Sequence, residues 1–428
     1  IIFGVSSLGC GLAPGKNVLI AARAFQGLGG ALMVPGSLAI IAAVIPSERR
    51  GKAYGTWSSF SALTTVVGPV LGGWLAEVGL WRMVFFINIP VAMVTIWLLA
   101  KKVPENKDES AKQLDIPGAL LATLALSGLS YGFLEASEKS FSNPVIQISL
   151  AIGFLSMAAF VFVERKNKYP MMPLHMFRSK AFSGVNAMTL LVYIALSASL
   201  FFLPLNLIQI QGYPETIAGL SILPFAAFIA ALSRFSGIFT DKFGARKPLI
   251  FGPLIAGAGL LLLSIPGITK GPSDYWFTFF PGILVIGIGI GVVVAPLTTV
   301  VMAVVPEKNT GIASGINNTM ARLAGLLAIA ILGSVMLITF KSHLEVKTKE
   351  TGISASYATE LLKNADKLAE TKPPEGLSAK QSQKAEKLIK TSFIYAFNLV
   401  IYLSAALSLL GSVIAFLTVK KGSAAERR

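Results

Sequence analysis

Few side chains in this 428-residue sequence are equipped for chemistry, and their placement narrows what that chemistry can be. Cysteine occurs once, at Cys10, and histidine twice, at His175 and His343. That excludes a disulfide framework within the chain and argues against a cysteine or histidine metal site. No G-x4-G-K-[ST] phosphate loop occurs, and no buried acid or nucleophile constellation falls within an apolar run. A membrane enzyme or a receptor-like scaffold therefore finds no support in the residues. What remains is charge inside apolar runs, read at Arg23 and at Arg322, which lies eleven residues past Gly311. A charge at the bilayer centre costs about 2.5–3.5 kcal/mol or more, so each needs compensation. Either each arginine is tied to helix carbonyls and holds the bundle together, or each faces a cavity and holds a proton-linked polar network. An arginine keeps its proton, so it would act by shifting the pKa of a nearby acid. The acids are peripheral: Glu77, Glu135, Glu215 and Asp274 near one set of segment ends, and Asp115 near the other. Glu135 is the candidate titrating acid; the alternative is a carboxylate solvated at the interface. Gln26, Asn186, Tyr193, Asn206, Gln209, Asn317 and Asn318 are candidates to line a cavity. Any of them also serves as a helix–helix hydrogen bond.

The elements that must position these residues are apolar and long. Hydrophobic residues make up 54% of the chain and charged residues only 14%, with a mean hydropathy of +0.70. Soluble domains carry about 25% charged residues. The apolar residues fall in twelve segments: 1–13, 18–45, 53–76, 83–100, 116–134, 144–163, 182–207, 216–238, 248–267, 276–305, 311–340 and 392–419. Roughly 20 apolar residues cross the hydrocarbon core as a helix, so all but the first are long enough. The fold class is an all-α membrane protein. A net charge of +16 in a soluble protein would suggest nucleic acid, but here the basic residues sit between the apolar runs and read as a topology signal. With the 46–52 loop in the cytoplasm, the inside loops hold twenty basic residues and the short outside loops hold Lys16, Arg82, Lys139 and Lys270. That orientation puts the C-terminus in the cytoplasm and the chain in the plasma (inner) membrane. The loop 341–391 falls outside with ten Lys and seven Asp/Glu. It is either a solvated, mobile loop or small amphipathic helices over 357–367 and 378–390.

The chain repeats itself at an offset of 260 residues. Gly27 and Gly29 match Gly287 and Gly289; Pro46 matches Pro306; Gly51, Ala53 and Gly55 match Gly311, Ala313 and Gly315. Both copies have the same orientation, as in the parallel halves of a facilitator-type transporter, which enclose a site near the midplane. The organisation read from this is a first half over 1–101, a linker with two extra central helices over 102–170, and a second half over 171–428. The first half shows four segments and the second six. The expectation is that two helices precede residue 1, giving fourteen spans in the intact protein. If the 428 residues were the whole gene product, it would be inactive or need a partner supplying those helices.

The run Gly55-x12-Gly68-Pro69-Val70-Leu71-Gly72-Gly73 combines a helix-kinking proline with small residues that let another helix approach. It resembles the antiporter motif of the drug:proton antiporters in the major facilitator superfamily. Arg23-Ala-Phe-Gln26-Gly27-Leu-Gly29-Gly30 is similar to that family's fourth-helix arginine motif, linked there to proton coupling. Gly237-Ile-Phe-Thr-Asp241-Lys-Phe-Gly244-Ala-Arg246-Lys247 resembles its cytoplasmic-loop motif. In that motif Asp241 either accepts from helix N-terminal amides or pairs with Arg246, latching the halves. The resemblance, to the 14-span branch, covers essentially the whole chain. It implies a major facilitator fold, two six-helix halves plus two extra central helices, with the first two helices absent here. It also implies proton-coupled export of lipophilic or cationic small molecules by a monomer, with no cofactor, its partners being the substrate, protons and lipid bilayer and not nucleic acid. The alternative is a dedicated exporter of one lipid-like or metabolite substrate.

Overall fold

A computed structural model describes residues 1–103, 115–139, 142–306, 309–350, 355–365, 368, 371, 373–374 and 376–420. The described residues are helical throughout, with turns and short 3-10 segments between helices and no strand among them. The order is α1 (Ile2–Leu12), α2 (Lys16–Val44), α3 (Arg50–Glu77), α4 (Met83–Phe86), α5 (Asn88–Lys102), α6 (Ile116–Lys139), α7 (Pro144–Lys166) and α8 (Lys180–Leu205). There follow α9 (Glu215–Ser221), α10 (Leu223–Phe243), α11 (Arg246–Leu263), α12 (Phe279–Ala303), α13 (Thr310–Leu327), α14 (Gly333–Glu350), α15 (Ala355–Lys363) and α16 (Ala379–Thr418).

Ten helical stretches among the described residues are long and apolar enough to cross a membrane. The apolar α1, of 11 residues, and α3, of 28 residues, account for the other two segments read from the sequence. Two basic positions assigned to the linker, Lys107 and Lys112, lie outside the described residues, as do Lys308, Lys421, Arg427 and Arg428.

Local chemistry sets where the helices start. Asn143 caps α7 through Val145 N–H with Pro144 behind it, and Ser179 caps α8 through Phe182 N–H. Ser378 and Gln381 form a reciprocal capping box on α16. Small residues set how closely the helices pack. A Cβ on Gly259 would lie 2.6 Å from Ile286 N, and one on Gly289 would lie 2.7 Å from Gly252 O, so α11 and α12 touch backbone to backbone.

The repeat read at 260 residues appears in the elements. α2 and α3 correspond to α12 and α13, and α3 begins at Arg50 where the offset places Thr310, the first residue of α13. Between the two sets, α3 packs on α10 and α12, and α2 on α13. The extra pair α6 and α7 pack on each other, and α6 also touches α13 and the π-type segment Ala328–Leu332.

The described residues of 341–391 are largely helical rather than an irregular loop. α13, the π segment and α14 form a continuous 40-residue stretch to Lys349, and α16 is another 40 residues. At about 1.5 Å per residue each is close to 60 Å long, twice the hydrocarbon core, so both project well past it. Leu344, Leu361 and Ala365 are fully buried where α15 folds back on α14. The helix expected over 357–367 is α15, shifted toward its N-terminal side; Lys367 lies outside the described residues.

Candidate functional site

Two polar clusters and one crossing of helices hold the candidate residues that the structure brings together. The crossing is built on glycine. A Cβ on Gly51 would sit 2.6 Å from the Gly237 carbonyl oxygen and against the Asp241 carboxylate; one on Gly55 would meet Ser233 O and lie 2.9 Å from Arg234 Cα. One on Gly237 would overlap Gly51 O. Only hydrogen at these positions lets α3 and α10 meet backbone to backbone. Asp241 uses that proximity: Oδ1 accepts from Gly51 N–H and Oδ2 from Lys52 N–H, both at 2.8 Å. A carboxylate in the first turn of α3 satisfies two amides that have no helical partner and complements the helix dipole. Of the two roles open to Asp241, the structure has the amide cap. Arg246 goes elsewhere, donating to Phe416 O at 3.3 Å with its guanidinium 5.1 Å from the Phe416 ring centre. Gly244, at φ 82°, ends α10 in a conformation that a side chain would strain.

At the other end of α3, a Cβ on Gly68 or Gly72 would meet no described atom within 4 Å. The close helix approach that the described residues of α3 do show is at Gly51 and Gly55, where α10 crosses it. Pro69 and Gly73 fall outside the described side chains.

A cavity of about 290 Å³ lies between α2, α3, α8, α12 and α13. Trp57, Tyr193, Thr298, Asn317, Asn318 and Arg322 form its polar and aromatic wall, with Leu38, Leu297 and Met302 among its apolar lining. Trp57 Nε1 donates to Ser37 Oγ at 3.1 Å, which fixes the indole between α2 and α3. Asn317 Nδ2 donates to Thr189 Oγ1 at 2.8 Å and to Asn186 Oδ1 at 3.2 Å. Asn186 and Thr189 are buried behind it, each bonded to its own helix through Phe182 O and Val185 O. Asn186 thus positions a lining residue and does not itself line the cavity. Arg322 faces the cavity and makes no hydrogen bond or ion pair to another described residue. Of the two readings open for it, the cavity-facing one fits this placement.

Arg23 is held differently. It donates to Gln26 Oε1 at 2.7 Å, and Gln26 Nε2 donates to Ser7 Oγ at 2.8 Å. Ser7 Oγ also accepts from Asn88 Nδ2 at 3.0 Å and donates to Phe85 O at 3.0 Å. Cys10 Sγ reaches the same Gln26 oxygen at 3.7 Å, and Arg23 lies 5.8 Å from the Phe85 ring centre. The network joins α1, α2 and α5, and the residues that complete it, Ser7 and Asn88, carry no signal in the sequence beyond being polar in an apolar run.

Three candidates lie away from both clusters. Asn206 is buried in a π-type turn, Asn206–Ile210, and its Oδ1 accepts from Gln211 Nε2 at 3.0 Å. Gln211 in turn binds Gly267 O and Thr269, so this pair staples one end of α8 to a distant turn. Gln209 sits in the same turn and is absent from the cavity lining. Glu135 is half-buried near the end of α6 and lines neither cluster. One residue was passed over: Arg234 lies inside the apolar run 216–238, at the α3 crossing, and its charge in that run was a readable signal.

Similarity to known proteins agrees with this architecture. The family model described as Major Facilitator Superfamily matches residues 1–329. "Multidrug resistance protein Stp" of Mycobacterium tuberculosis is 32% identical over 351 residues, which is 80% of this chain but 64% of that protein. "Tetracenomycin C resistance and export protein" of Streptomyces glaucescens is 27% identical over 423 residues, 98% of this chain and 78% of that protein. "Puromycin resistance protein pur8" of Streptomyces alboniger is 31% identical over 336 residues, 78% of this chain and 66% of that protein. Among solved structures, the proton:xylose symporter XylE superposes with a TM-score of 0.57 at 15% identity, covering 98% of this chain and 78% of that one, which speaks to fold alone. With the matched repeat, the crossing at Asp241 and the family model in agreement, the chain belongs to the Major Facilitator Superfamily and has its all-helical fold.

Proposed function

We propose that the protein is a secondary active transporter that exports small lipophilic molecules across the plasma membrane as a monomer, in exchange for protons. The observation that carries this reading is the cavity between the repeats, beside the end shut by Gly51 and Asp241, while at the other end of α3 Gly68 and Gly72 face no described atom. That is what one state of an alternating-access cycle requires. The basic loops assign the shut end to the cytoplasm, so the cavity faces outward and the C-terminus lies inside. Gly68, Pro69, Gly72 and Gly73 then make the close contact of the opposite state, in which the Asp241 cap is released. Relatives named for multidrug resistance and antibiotic export support cargo of drug-like size and outward direction.

Arg322 is the one charged residue among those lining the cavity. Neutral or hydrogen-bonding aromatic cargo suits Trp57, Tyr193 and Asn317; a cationic cargo needs a carboxylate from outside this lining. Arg23 and Arg322 stay charged and act on the affinity of a proton site rather than carrying the proton. A relative matched over 98% of this chain is named for a single compound, which favours a dedicated exporter as the second reading. The test is efflux from cells expressing the protein from its own gene, across a panel of lipophilic compounds. Export of several unrelated compounds supports the first reading and a single one the second. No export beyond that of a Trp57→Ala, Asn317→Ala double variant contradicts both.

A further inference from the structure

A second cavity, of about 600 Å³, lies between α14 and α16 at the end of the bundle away from the Asp241 crossing. Its wall changes character along the helix. Lys347, Lys384 and Lys387 stand at one end, and Ile394, Tyr395 and Asn398 at the other. From Lys384 to Asn398 is fourteen residues, about 21 Å along α16. The apolar run of α16 begins at residue 392, so the lysines sit where hydrocarbon gives way to head groups and Asn398 about two turns below. Lys384 and Lys387 are exposed and make no hydrogen bond or ion pair to another described residue. Among the described acids of α14 and α16, Glu386 pairs with Lys390 and Glu345 with Lys349, both at 2.8 Å. The Asn398 amide makes no side-chain hydrogen bond to another described residue, and its Oδ1 is shielded from solvent. His343 Nδ1 lies 2.9 Å from Ser392 Oγ and its ring stacks on Tyr395 at 4.4 Å, which ties the two helices together beside the opening.

From this graded wall we infer that the α14–α16 cavity binds one anionic phospholipid, lodged head outward. The lysine end takes the phosphate, since basic side chains at a membrane surface attract anionic head groups. The Asn398 amide lies below them, and its N–H groups donate to an ester carbonyl drawn down into the cavity. Tyr395 and Ile394 offer an acyl chain an apolar face. A soluble anion would use only the first of these three levels, and an acidic protein segment would leave the hydrocarbon-depth part of the cavity unfilled, so a lipid fits the cavity best. This inference needs only that the helices cross the membrane; it does not depend on export or on proton coupling.

The experiment is native mass spectrometry of the full chain with added phosphatidylglycerol or phosphatidylcholine of identical acyl chains. The parent protein should retain one phosphatidylglycerol in preference to phosphatidylcholine. K384Q/K387Q should weaken that retention roughly 25-fold, K384R/K387R should keep it, and N398L should weaken it without changing head-group preference. Equal retention of both lipids, or undiminished phosphatidylglycerol binding in K384Q/K387Q, overturns the inference. So does displacement of the lipid by inorganic phosphate at equal concentration, which would make this a soluble-anion site. Matching circular dichroism spectra of the parent and the variants separate lost binding from lost fold, and the parent's head-group preference stands as a test even where a variant does not fold.

Discussion

Removing the Asp241 carboxylate should open the shut end of the transporter. Asp241→Ala deletes two hydrogen bonds from the Gly51 and Lys52 amides, each 2.8 Å long. A hydrogen bond to a charged group contributes about 1.5–3 kcal/mol net. Asp241 is only partly buried, so the low end applies, and the pair stabilises the shut state by about 3 kcal/mol. That corresponds to a shift of roughly 150-fold toward the opposite state. Spin labels at Arg49→Cys and Lys242→Cys report it, since both residues are exposed and flank the crossing. The buried Cys10 is replaced by alanine to keep the labelling specific. Double electron–electron resonance should give one short distance in the parent and a longer, broader one in D241A. Asp241→Asn keeps one acceptor oxygen without the charge and should fall between them. Gly51→Ala reaches the same outcome by sterics, since its Cβ would lie 2.6 Å from Gly237 O and collide with the carboxylate. An unchanged short distance in D241A would refute the claim that this cap holds the halves together.

Gly72→Leu should leave the present state intact, because a Cβ there meets no described atom within 4 Å, yet stop turnover by overpacking the opposite state by about 1–3 kcal/mol; unchanged spin-label distances with lost efflux would show it. Gln26→Leu should strand the Arg23 guanidinium and unlink Ser7, costing about 1–3 kcal/mol, read as a lower melting temperature in detergent. Asn317→Leu should cut cargo affinity while leaving the protein folded, because Asn186 and Thr189 keep their own main-chain bonds, and a binding titration measures it. Burial works against ionisation of Asp115, but the amides of Gly118 and Met171 outweigh it and hold the carboxyl below its usual range. Its stabilising effect is therefore present above pH about 3.9 and lost as pH falls through the lower folded value. The melting difference between the parent and Asp115→Asn should be visible at neutral pH and vanish in acid.

The elements were legible because their signal is strong and one-dimensional. Long apolar runs fix spanning helices, and a 260-residue offset fixes which helices correspond, down to Arg50 and Thr310 as matching first residues. Side-chain roles were legible only where a residue's chemistry leaves few options. Asp241 beside a helix start had two, and geometry chose the amides over Arg246. Polar residues in apolar runs have many options, and period alone does not say which face meets a cavity. Asn317 and Asn186 are both asparagine on helices of the same interface, yet one lines the cavity and the other props it from behind. Asn206 and Gln209 fall in a π-type turn, where the extra residue rotates side chains away from regular helical spacing. The lengths of α14 and α16 were hidden for a different reason. Their charged ends look like loop by composition, and only the buried Leu344, Leu361 and Ala365 reveal that they pack. Arg234 carries the same signal as Arg23 and Arg322, a charge inside an apolar run.

The central claim is exchange: cargo moves one way and protons the other through the cavity walled by Trp57, Asn317 and Arg322. The direct measurement is a pH-sensitive dye trapped in proteoliposomes containing the protein expressed from its own gene, with cargo added at one side and no imposed gradient. The account predicts that cargo entry drives protons out, so the lumen turns alkaline at a rate that follows cargo flux and is abolished in Arg322→Ala. Cargo entry with no change in lumenal pH, or acidification in step with it, would contradict exchange.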